Sequence, residues 1–119
     1  MPARLRTASA EEVAGAWQAV RADEQDAAAL RLLTKHYLAV LASRHPGRSV
    51  EVRVPPYAAV QCVGGARHTR GTPPAVVETD ALTWVRLARG ETTWAEALQH
   101  GRLVASGERS DLAPLLPLE

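Results

Sequence analysis

The chain has 119 residues, 46% of them apolar, with 14 basic and 13 acidic side chains and a formal charge of +1. That length predicts one domain, able to bury roughly 65% of its unfolded surface without disulfide or metal staples. A near-zero charge gives no electrostatic footprint for nucleic acid or an anionic membrane, and no apolar run reaches the ~18–20 residues needed to span a bilayer.

Met1 to Ala8 read as a flexible arm with no signal-peptide core, so a cytoplasmic location is expected. The single cysteine, Cys62, has no internal disulfide partner, which suits a reducing compartment. Ser9-Ala10-Glu11-Glu12 spells a capping box, opening a helix that carries Val13, Trp17 and Val20 on one stripe. Gly15 weakens that helix by up to ~1 kcal/mol relative to Ala, so it should lean on tertiary packing. Asp23 to Asp26 places acidic groups at the start of the next helix, which is the longest, from about Gln25 to Arg44. Its apolar positions are Leu30, Leu33, Tyr37, Val40 and Leu41, and Pro46-Gly47 ends it.

Ser49 to Val54 alternates, with Val50, Val52 and Val54 one way and Glu51 and Arg53 the other, as a half-buried strand does. Pro55-Pro56 breaks it, and Tyr57 to Val63 is the partner strand. Gly64-Gly65 is a turn into a short Ala66 to Arg70 segment. Ala75-Val76-Val77 starts another strand after Pro73-Pro74. Thr79-Asp80 then caps a helix that runs to Gly90. Thr93-Trp94-Ala95-Glu96 is a second capping box, and its helix points Trp94, Ala97 and Leu98 inward before stopping at Gly101. Leu103-Val104-Ala105 is the last strand. Ser110-Asp111 caps a final turn or two holding Leu112, Leu115 and Leu116. Strands and helices that do not strictly alternate favour an α+β fold, with a small antiparallel or mixed sheet of four or five strands and helices on one face.

Few residues invite chemistry. Arg67-His68-Thr69-Arg70 is the most compact polar cluster: a loop that either clamps an anion or pairs with Glu51, Glu78 or Asp80, the pairing being preferred. His36, His45, His68 and His100 lack partners at metal-ligand spacing, so no metal site is expected, and those near helix ends suit the helix dipole. Alternation puts Cys62 in the core rather than in a nucleophilic role. Trp84, Leu87, Trp94, Leu98, Leu112, Leu115 and Leu116 form an apolar collection on three short helices, read either as core or as the lining of a ligand tunnel.

The run from Thr79-Asp80 through Arg89-Gly90, Thr93 to Gly101 and the G-x-L-x-x-x-G strand at Gly101 to Gly107 resembles the C-terminal half of the sterol-carrier-protein fold. Upstream, Val52-Arg53-Val54-Pro55-Pro56-Tyr57 and Arg67 to Pro74 resemble a bacterial, actinobacterial-type offshoot, the sterol carrier family proteins, over Leu30 to the end. The resemblance implies a non-enzymatic domain that binds an apolar small molecule, a lipid, fatty acyl or sterol-like ligand, beneath the seven apolar residues just named. Arg67, His68 and Arg70 stand as polar loop candidates. The fold also occurs appended to mycothiol-dependent isomerase-type enzymes, which implies the alternative of an accessory module supporting a protein partner. No catalytic set, cofactor or nucleic-acid partner is expected.

Overall fold

The computed structural model describes residues 5–65, 75–107 and 110–119. The order is α1 (Ala10–Ala22), α2 (Ala27–Arg44), β1 (Val50–Val54), β2 (Ala58–Cys62), β3 (Ala75–Thr79), α3 (Ala81–Arg89), α4 (Trp94–Gln99), β4 (Leu103–Ser106) and a 3-10 turn at Ala113–Leu115. The fold is α+β, as the alternation and capping signals predict.

Local chemistry sets most of these boundaries. Ser9 and Glu12 close the first capping box, and Thr93 and Glu96 the second, each satisfying two backbone N–H groups that a helix start leaves unpaired. Asp26 accepts from the Ala29 N–H at 3.0 Å to start α2. Asp80 accepts from the Thr83 N–H at 3.0 Å to start α3. Gly90, at φ 84°, ends α3 in the left-handed conformation that glycine alone adopts without a Cβ penalty. Between β1 and β2 the Tyr57 N–H donates to the Val54 carbonyl across Pro55-Pro56 at 3.0 Å, a tight turn that returns the chain antiparallel.

The sheet is mixed, in the order β2-β1-β3-β4. β1 lies antiparallel to β2 and parallel to β3, and β3 lies antiparallel to β4. Register places Val50 opposite Cys62 and Ala75, Val52 opposite Val60 and Val77, and Thr79 opposite Leu103. Period-two alternation then sends this set to one face, where Val50, Val52, Val54, Cys62, Ala75, Val77, Thr79 and Leu103 are buried. Arg53, Glu78, Ala59, Gln61 and Val104 are exposed on the other face. The helices pack on the buried face: α2 contacts β2, α1 and α3 contact α2, and α4 contacts β4. The Trp84 indole N–H donates to the Thr34 carbonyl at 3.3 Å, which ties α3 to the middle of α2.

Two sequence expectations change. Leu98 is 45% exposed rather than inward. The six-residue α4 buries the Trp94–Ala97 edge, and Leu98 lies about 100° round the helix from Ala97. The closing helix is only a three-residue 3-10 turn in which Leu112, not Ser110-Asp111, is the capping residue. Asp111 accepts instead from the Ala113 N–H at 2.9 Å. Pro117 explains the truncation, since it has no N–H with which to continue an α-helix, whereas Pro114 sits in the first turn, where proline is tolerated. The Ala66 to Arg70 segment lies outside the described residues.

Candidate functional site

The second half of α2 carries His36, Tyr37, Val40 and Arg44 toward α1, whose facing residues are Ala10, Val13, Ala14 and Trp17. Three of these α1 side chains are small or β-branched, so they fill little of the space in front of α2. The chain then returns after the 3-10 turn as a strap. The Leu118 N–H donates to the Ala88 carbonyl at 2.7 Å, and the Leu118 carbonyl accepts from Arg44 Nη1 at 2.7 Å. With Arg89 from the end of α3, these elements border an open cleft of about 550 Å³. That volume falls in the range of small-molecule sites, ~300–1,000 Å³.

A hydrogen-bonded chain crosses the cleft floor. The Trp17 indole N–H donates to the Tyr37 hydroxyl at 2.9 Å, and that hydroxyl donates to the Glu119 carboxylate. Burial, reinforced by the Glu119 carboxylate and opposed by the Trp17 N–H, pushes the Tyr37 phenol up to about 12, so it remains a donor at neutral pH. His36 Nδ1 accepts from the Ala8 N–H at 2.9 Å, and its ring meets Tyr37 edge-on at 4.9 Å between centroids. Burial holds the imidazole below its ordinary value, opposed by the charge on Glu119. The Arg89 guanidinium lies 4.7 Å from the Trp17 ring centroid and the Arg21 guanidinium 5.5 Å, both within cation–π range. The cleft therefore combines apolar walls with one fixed hydroxyl donor and cationic groups at its strap end.

A larger hollow of about 700 Å³ lies between Ala39, Ala42 and Ser43 of α2 and the edge strand β2, with Leu5, Thr7 and Gly47 around it. Among the described residues that line it, none is a charged side chain that would orient a ligand. The α1–α2 cleft is therefore the better candidate.

The seven apolar residues singled out from sequence line neither space. Trp84, Leu87, Trp94 and Leu112 belong to one buried core cluster, Leu115 and Leu116 pack against it half-buried, and Leu98 is exposed. Arg67, His68 and Arg70 lie outside the described residues. His36 sits in the body of α2 as a neutral acceptor rather than at its end as a dipole partner. Cys62 is buried in the sheet, where desolvation pushes its thiol up to about 11 and leaves it inert. Sequence reading assigned Trp17 and Tyr37 to the core and gave no role to Arg89 or Glu119. The available signal was that buried Trp and Tyr need partners for their polar tips, beside small residues at positions 10 and 14.

Among the described residues no cluster of three His, Cys, Asp or Glu side chains is placed to hold a metal. No helix among them is long and apolar enough to cross a membrane.

A mixed four-stranded sheet roofed by helices on one face defines a small α+β domain. Residues 25–118 match the family described as bacterial SCP ortholog, and the chain belongs to this sterol-carrier-protein-like family. The matched span contains α2 and the chain after it as far as Leu118, whereas α1 with its Trp17 precedes it and Glu119 follows it. No curated protein matches the chain.

Proposed function

We propose that this domain is a non-enzymatic, cytoplasmic carrier of an apolar small molecule of the lipid or fatty acyl class, held in the α1–α2 cleft. One observation carries the reading: a ligand-sized space walled by Ala10, Val13, Ala14, Trp17, Val40 and Leu118, with the Tyr37 hydroxyl on its floor. Family membership supports it, because sterol-carrier-protein-like domains are of the lipid-carrier type. No nucleophile and base converge in the cleft: Tyr37 keeps its proton and the Cys62 thiol is buried in the sheet.

Delipidated protein titrated calorimetrically with C8 to C18 fatty acids, fatty alcohols, acyl-CoA and a sterol tests this directly. Saturable binding of one ligand per chain is expected, with a change in tryptophan emission that disappears in Trp17→Phe. A panel without binding defeats the proposal.

A second reading, an accessory module for a partner enzyme, would use the exposed large apolar side chains Val104, at 66% on β4, and Leu98, at 45% on α4. If it holds, Val104→Lys and Leu98→Lys abolish co-purification of a stable partner and leave ligand titration unchanged.

A further inference from the structure

Within the carrier reading, on which this inference rests, the cleft contains a clue to its ligand's head group. Its one fixed hydroxyl donor already points at a carboxylate, that of Glu119. We infer that the cleft selects amphiphiles ending in a carboxylate, and that the ligand's head group takes the place on Tyr37 now occupied by the Glu119 side chain.

Three features support this exchange. Leu118 is buried and held by two backbone hydrogen bonds, to the Ala88 carbonyl and from Arg44, so the strap stays in place when the next side chain moves. Glu119 is exposed, so after leaving Tyr37 its carboxylate recovers water and the displacement costs little against the bond the ligand's head group gains. Charge at the strap end also favours an incoming anion. Arg44 is within ion-pair distance of no carboxylate among the described residues, and Arg89 reaches Glu91 only at 3.6 Å. Once Glu119 has swung out, the lining retains Arg44 and Arg89 with no other acidic side chain among the described residues. The apolar tail then runs along Val13, Trp17 and Val40, where burial of each methylene adds affinity. Tyr37 keeps its proton at neutral pH and remains a donor for the head group.

The test compares dodecanoate, 1-dodecanol and methyl dodecanoate, equal in chain length, against the parent, Tyr37→Phe and Glu119→Gln by calorimetry at pH 7.5. The parent should bind dodecanoate roughly tenfold tighter than the alcohol or ester, the size of one charge-assisted hydrogen bond. Tyr37→Phe should bring the three ligands within about threefold of one another. Glu119→Gln removes the competing charge while conserving shape. It should tighten dodecanoate several-fold and leave dodecanol unchanged, and because Glu119 is exposed this variant keeps the fold. Equal affinity of the parent for acid and alcohol overturns the head-group inference and leaves the carrier reading standing. Weaker dodecanoate binding by Glu119→Gln overturns the displacement. Absence of binding by all three ligands defeats both readings.

Discussion

Replacing Tyr37 by Phe removes a single oxygen from the cleft floor, and its consequence can be worked through. The ring volume is conserved, so no cavity opens and the loss is polar. Trp17 is 3% exposed, and its indole N–H, which donates to the Tyr37 hydroxyl at 2.9 Å, is left without an acceptor. An unsatisfied buried donor costs about 1–3 kcal/mol. The bond from Tyr37 to the Glu119 carboxylate is lost as well, but the exposed carboxylate rehydrates, so this adds less than ~1 kcal/mol. The variant should be less stable by about 2–3 kcal/mol, a large part of the ~5–15 kcal/mol that holds a typical domain together. Urea unfolding followed by circular dichroism should show the midpoint falling by about 1–2 M at unchanged slope. A double-mutant cycle isolates the cause: Trp17→Phe should cost about 1–2 kcal/mol less in the Tyr37→Phe background than in the parent, because the orphaned donor is then gone. Additive single and double variants, or a midpoint shift below ~0.3 M, would refute the reasoning by showing that water already satisfies the indole.

Two further predictions concern stability, beside the ligand titrations above. Alkali should weaken the fold through Tyr37: its folded value of about 12 exceeds the ordinary 10, so the native state retains a proton that the unfolded chain loses. That contribution is complete below pH 10 and disappears as pH rises toward 12, up to about 2–3 kcal/mol in all, and the stability–pH curve of Tyr37→Phe should lack this decline. Gly47→Ala should destabilise by about 3–5 kcal/mol in urea titration, because φ is +152° and a Cβ would lie 2.2 Å from the Val63 carbonyl carbon and oxygen. Gly15→Ala, with nothing within 4 Å of its would-be Cβ inside α1, should instead stabilise by up to ~1 kcal/mol. A comparable loss at both glycines contradicts this account.

The membership of α1 in the cleft bears on function. The family match begins at residue 25, so half of the cleft wall, including Trp17, is contributed by residues that precede it. The Trp17–Tyr37 hydrogen bond joins this preceding helix to the matched domain. A ligand held in the proposed site would therefore meet α1 as well as the helices within the match.

The sequence determined on its own what depends on neighbours three or four residues apart or on strict alternation. Both capping boxes, the Asp80 cap, the Gly90 stop and the inward set of Val50, Val52, Val54 and Cys62 follow from such short-range physics, since a helix start needs acceptors within one turn and a strand flips faces at every residue. Where several weak local signals met, tertiary packing decided: Leu98 turned out to water, and the last helix shrank to a 3-10 turn ahead of Pro117, with Leu112 and Leu118 rather than Leu115 or Leu116 buried. The cleft was decided entirely at that level. It needs Trp17 to meet Tyr37 across 20 residues and Tyr37 to meet Glu119 across 82, and no periodicity in a chain encodes which distant polar tips will share one hydrogen-bonded line.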